Sequence, residues 1–161
     1  MTNSTTDRPL LRRSRAALCV AYAAIALLAL IGTWSHNVAY FHPGDGLAGF
    51  ALATARYWPD TLTTPAGVSI TVDIGLFLLA AAVLMVLEAR RLGIRFVWLY
   101  VVLGLLVAIS VTLPLFLIAR ERRLGARGEA TARFGLGRDD AVGLGVLAAA
   151  AAAFTLWTLG R

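Results

Sequence analysis

Four apolar runs, each long enough to cross a bilayer, constrain this chain more than any other feature: Ala16 to Trp34, Val68 to Leu87, Phe96 to Ala119 and Ala141 to Leu159. A helix rises ~1.5 Å per residue, so about 20 apolar residues span the ~30 Å hydrocarbon core. In lipid every backbone polar group must be satisfied within the chain, and that requirement selects helices. The runs therefore predict an all-α, polytopic membrane protein built as a four-helix transmembrane bundle. The composition agrees, with 59% hydrophobic residues and a mean hydropathy of +0.76.

The first run exceeds the ~7–15 residues of a signal-peptide core and no A-x-A site follows it, so a retained helix is expected. The fourth, rich in alanine and glycine, has a smooth face at Gly143, Gly145 and Ala148 to Ala153 that allows close helix approach. Gly104, Ala108 and Thr112 repeat that spacing in the third run, and Pro114 is expected to kink it. The organisation that follows is a disordered cytoplasmic tail over residues 1–15 and a three-span membrane domain over 16–123. An arginine-rich loop over 124–140 and a fourth transmembrane helix over 141–161 complete it.

The first two runs are separated by about 33 residues, too many for a plain connector. His42 to Gly46, HPGDG, reads as a turn. Leu47, Phe50, Ala51, Thr54 and Trp58 then recur at helical spacing beside Tyr57, which predicts a short amphipathic interfacial helix ended by Pro59.

All basic residues are arginines, and the net charge is +6. They stand in blocks beside apolar runs, as head-group anchors do, and not in a stripe with aromatics that would suggest nucleic acid. Four straight crossings place Arg8, Arg12, Arg13, Arg15, Arg90, Arg91, Arg95 and Arg161 on one side. They place Arg56, Arg120, Arg122, Arg123, Arg127, Arg133 and Arg138 on the other. Eight against seven gives no orientation. The flanks of the first helix favour both termini in the cytoplasm of a cell whose inner, or plasma, membrane holds the protein.

On that topology His36, Asn37, Arg56, Asp73, Arg120 and Glu121 share one membrane face. Starting the second helix after Asp73 would leave too few residues to cross, so this acid is drawn into the membrane edge and needs a partner. Arg120, Arg56 and His36 are the candidates. A binding or proton-handling site is one reading; the other is an acid in a first helical turn that complements the helix dipole, or a structural salt bridge. Glu88, Arg90 and Arg91 form a second cluster in LEARRLG, where cations and Gly93 suit a helix C-terminus. One cysteine, Cys19, permits no intrachain disulfide, and too few ligands gather for a metal. No hydrolase, zinc-protease or nucleotide-binding motif occurs, and no cofactor is implied.

The stretch from Asp73 through VLEARRLGIRFVWLYVVLGLL to LPLFLIARERRL resembles the DUF2834 family of small bacterial membrane proteins of unknown function. The pattern is an early aspartate, an E-x-R-R-L-G turn, Trp98, Gly104 and a P-L-F-L-x-x-R-E ending at Glu121. Tyr57 and Trp58 are also similar to the family's middle segment. The resemblance covers about residues 18 to 123. It implies a compact membrane domain of about three spans with no assigned activity, and it draws attention to Asp73, Glu88, Arg90, Arg91, Pro114 and Arg120. The last loop and fourth span depart from it.

Together these features lead to a non-enzymatic accessory or small-ligand-binding membrane protein. Its partners are the lipid bilayer and, through the Gly/Ala faces of the third and fourth spans, further copies or another membrane protein. The alternative is a small proton-coupled transporter with Asp73 as its titrating group. A lipid-acting enzyme built on His36 and Asp73 lacks a nucleophile.

Overall fold

The computed structural model describes residues 7–128 and 137–160. They form six α-helices: α1 (Asp7–Asn37), α2 (Gly49–Asp60), α3 (Pro65–Leu92), α4 (Val97–Leu103), α5 (Ile109–Ala126) and α6 (Arg138–Leu159). No strand occurs among them. By length and composition four helical segments can cross a membrane: Ser14–Tyr40, Pro65–Leu92, Val97–Ala126 and Arg138–Leu159. The short helix expected between the first two is α2. The first six residues of the expected tail lie outside the described residues, and from Asp7 onward the chain is already helical. Of the expected loop 124–140, positions 129–136 lie outside them too.

Local signals set several ends. Thr64 caps α3 by accepting a hydrogen bond from the Gly67 amide at 3.0 Å, with Pro65 in the first helical position. Gly93 closes the same helix in the left-handed region, φ 67°, the conformation that favours glycine after a helix C-terminus. Pro59 lies inside the last turn of α2, which runs on to Asp60.

The third apolar segment is not straight. A wide π-type turn over Gly104–Ala108 leads to Ala108, whose extended backbone (φ −179°, ψ 137°) breaks the helix between α4 and α5. The chain then doubles back. A Cβ on Gly104 would stand 2.9 Å from Oγ1 of Thr112 and 3.2 Å from Cδ1 of Ile109, and the Tyr100 and Phe116 rings meet edge to face at 5.7 Å. In one continuous helix Tyr100 and Phe116 would be ~24 Å apart at ~1.5 Å per residue. The expected small-residue stripe Gly104, Ala108, Thr112 is therefore the inside of a hairpin tip, and the bend falls at Ala108 rather than at Pro114.

The inner face of the hairpin is buried. Gly104, Ile109, Val111, Thr112 and Pro114 are all buried, and α5 packs on both α1 and α3. Non-helical backbone at membrane depth needs protein around it, and the inner face of the tip has that cover while Leu105, Leu106 and Ser110 face outward. Ala81, Met85, Ala89, Val97, Ile109 and Phe116 make the core, with Phe116 and Met85 fully buried.

Helix α6 touches the rest through α1, where a Cβ on Gly32 would stand 2.7 Å from Cγ2 of Thr155. Gly128 and Gly137 are nine residues apart, a reach of ~31 Å at most. Arg138 precedes Thr155 by 17 residues, or ~26 Å. Were α6 antiparallel to α1, Arg138 would lie ~50 Å from Gly128, beyond that reach. Thus α6 runs parallel to α1, and its C-terminal end lies at the opposite end of the bundle from the start of α1.

Candidate functional site

The polar residues expected on one face separate into two groups at opposite ends. At one end, α1 begins while α3 and α5 finish, and there Glu88 and Glu121 gather the arginines. Arg120 Nε donates to Glu88 Oε1 at 2.6 Å and its Nη1 to Glu121 Oε1 at 2.8 Å. Arg91 donates to both oxygens of Glu88, at 2.8 and 2.7 Å. Arg15 of α1 reaches Glu121 at 3.6 Å, and Arg127 donates to the Arg91 carbonyl at 3.1 Å. Glu121 is only 2% exposed. A carboxylate so deeply buried is tolerable when ion pairs and hydrogen bonds compensate its desolvation, as they do here.

These contacts correct the expected location of Arg120. Four straight crossings put it, with Glu121, beside His36, Asn37, Arg56 and Asp73, but the reversal at Ala108 returns α5 to the end where α3 finishes. Arg120 accordingly joins Glu88 and Arg91, which the sequence assigned to a separate cluster, whereas Arg90 of that cluster is exposed. Arg15 and the central role of Glu121 were missed, because R-E-R-R at a helix end reads as a solvated charge run. The near tie in arginine count, eight against seven, rests on four straight crossings, and the reversal at Ala108 makes the third of them not straight.

At the other end, Arg56 belongs to a local clip. It donates to both oxygens of Asp45, at 2.7 and 3.0 Å, and to the Tyr40 carbonyl at 3.0 Å. The guanidinium, helped by the His42 amide, lowers the Asp45 carboxyl to about 2. Tyr40 donates to Asp60 at 3.0 Å, and Trp34, Phe41 and Phe50 gather around the end of α1. Helix α2 turns Gly49 and Ala53 inward and leaves Phe50 and Trp58 exposed, the arrangement an interfacial helix requires.

His36 and Asp73 are exposed and Asn37 is half-buried. None is joined to Arg56 or Arg120, so the five expected residues do not form one site. Asp73 faces outward from α3, about 22 Å along the helix from Glu88 at ~1.5 Å per residue, within the ~30 Å of a hydrocarbon core. Among the described residues no group of three or more His, Cys, Asp or Glu gathers as a metal site would need.

Long apolar helices, a hairpin with a buried inner face and charge gathered at the ends, Asp73 apart, define a polytopic helical membrane protein. A family model described as "Protein of unknown function DUF2834" matches residues 21–122, and the chain belongs to that family. The match ends within the charge cluster, one residue past Glu121, and leaves α6 outside. No curated protein and no solved structure matches the chain.

Proposed function

We propose that this chain is a non-enzymatic accessory protein of the plasma membrane, which acts by packing against another membrane protein or further copies of itself. The observation that carries this reading is Asp73, an acid turned away from its own protomer at membrane depth. A carboxylate costs ~2.5–3.5 kcal/mol at mid-bilayer and less toward the interface, a cost that a partner helix with a polar group removes. Helix α6 adds a second outward device: a Cβ on Gly143 or Gly145 would meet nothing within 4 Å. The two carboxylates of the α1–α3–α5 end, Glu88 and Glu121, are consumed in pairing with arginines, which suits a structural staple better than a reaction centre.

The hairpin also sets the orientation we propose. If α4 and α5 enter and leave on the same side, the membrane is crossed by α1, α3 and α6. Arg15, Arg90, Arg91, Arg95, Arg120, Arg122, Arg123, Arg127 and Arg138 then share one side with the start of α1, against Arg56 on the other. Nine against one, with Arg8, Arg12 and Arg13 of α1 adding to the nine, meets the positive-inside rule among the described residues. The N-terminal end of α1 is then cytoplasmic and the C-terminal end of α6 is not, in place of two cytoplasmic termini.

A photo-crosslinker at Val72 or Leu76, flanking Asp73, is expected to capture a protein partner in native membranes, and Asp73→Leu to abolish the adduct. Adducts with lipid alone would end the accessory reading. The outward, uncompensated Asp73 also favours a second reading, a proton-coupled carrier. There Asp73→Asn removes proton-linked flux in proteoliposomes while leaving assembly intact.

A further inference from the structure

We propose that the groove between α4 and α5 holds one anionic phospholipid of the leaflet at the arginine-rich end, its phosphate on Arg122 and Arg123 and an acyl chain along Ile118 and Leu115. The groove is largely open, offers about 650 Å³ and is lined by Tyr100, Leu115, Ile118, Ala119, Arg122, Arg123 and Ala126. It exists because the chain reverses at Ala108. A straight helix would carry Tyr100 far from Ala119.

The arginines of this end fall into two classes. Arg15, Arg91, Arg120 and Arg127 are engaged with carboxylates or a backbone carbonyl. Arg122 and Arg123 are exposed and have no side-chain partner among the described residues. A guanidinium is permanently charged and its planar fork matches phosphate oxygens, so two of them on one helix turn offer a doubly basic seat. The order along the groove matches a lipid. Arg122, Arg123 and Ala126 lie at the charged end, Ala119 and Tyr100 come next, and Leu115 lies deepest, about 10 Å along α5 from Arg122 at ~1.5 Å per residue. Tyr100 is held edge-on against the buried Phe116, which fixes its ring as one wall. Basic pockets between membrane helices on the cytoplasmic side are suited to anionic head groups. Phosphate alone would leave the apolar floor unoccupied, whereas a zwitterionic lipid would bring its own cation to the arginines. Net negative charge and an acyl chain are both required.

Native mass spectrometry of the full chain, purified in detergent and titrated with phosphatidylglycerol, phosphatidylcholine or inorganic phosphate, tests this. Retention of one phosphatidylglycerol in preference to phosphatidylcholine is expected, with no displacement by millimolar phosphate. Each of Arg122→Gln and Arg123→Gln should weaken retention about fivefold. Leu115→Trp, which fills the deep end, should weaken it without altering charge. Arg90→Gln and Arg95→Gln remove equal charge from the neighbouring α3–α4 turn and should leave retention within twofold. Equal retention of both lipids overturns the proposal. So does equal loss in the two arginine pairs, which would indicate only a diffuse basic surface, or displacement by phosphate, which would indicate a head-group site without the groove. Thermal unfolding of each variant keeps loss of fold distinct from loss of binding.

Discussion

The two ends of this bundle are both closed by arginine–carboxylate pairs, yet they are built on different length scales. At the α1–α3–α5 end, Arg15 meets Glu121 and Arg120 meets Glu88, residues more than thirty positions apart on three separate helices. At the other end, Arg56 meets Asp45 and Tyr40 meets Asp60, all within one connecting segment. The first set can form only after the chain has reversed at Ala108. The second needs nothing but the turn and helix that carry it. Charge pairs at a membrane surface thus serve two purposes here, locking a tertiary arrangement at one end and shaping a local cap at the other.

The largest expected effect tests that contrast directly. Glu121→Ala removes the buried carboxylate that ties Arg15 of α1 to Arg120 of α5, leaving Arg120 only its pair with Glu88, and breaking such a buried pair costs about 3–5 kcal/mol. Reversible unfolding in mixed micelles measures it. A loss no larger than that of Asp45→Asn would erase the distinction between the ends. Next in size is Gly104→Val, because even its Cβ would press on Thr112, Ile109 and Leu78 at 2.9 to 3.3 Å. Overpacking of this kind costs about 1–3 kcal/mol. The tip should loosen, and the Glu88–Arg120 pair should weaken with it. Hydrogen exchange is expected to rise over both 104–112 and 118–122 while α2 keeps its protection. Faster exchange in α2 as well would mean that the ends are coupled through the bundle.

How much of this was legible in sequence follows the same division. Long apolar runs, the HPGDG turn, Gly93 and the amphipathic helix before Pro59 are local signals, and each appears where the sequence placed it. The hairpin does not announce itself. In G-L-L-V-A-I-S the break falls at Ala108, in extended backbone that any residue adopts, without proline or glycine at the position itself. Hydropathy cannot separate a spanning helix from a folded one, since lipid and protein interior are both apolar solvents for the same side chains. Once the reversal is missed, Arg120 goes to the wrong end, and so does the partnership sought for Asp73. The one sequence-wide feature that bears on the reversal is the near-even split of arginines between the two faces of four straight crossings.

The smallest expected effect concerns the local cap and depends on pH. The bidentate contact with Arg56 lowers the Asp45 carboxyl from 3.8 to about 2 in the folded chain. A depressed carboxylate stabilises the fold above its unfolded value, and that contribution is lost as pH falls through the folded one. The clip should therefore be intact at pH 5, begin to weaken below about pH 4 and open as pH approaches 2. Trp58 on α2 reports it: its emission should shift across that window, whereas Asp45→Asn should remove the transition and leave the remaining emission flat. Because the clip draws only on residues between Tyr40 and Arg56, the same titration should leave a cysteine pair engineered at Gly32 and Thr155 crosslinking at an unchanged rate. A parallel change in that crosslink would show that α2 helps to hold α6 on α1, so that the cap is not local after all.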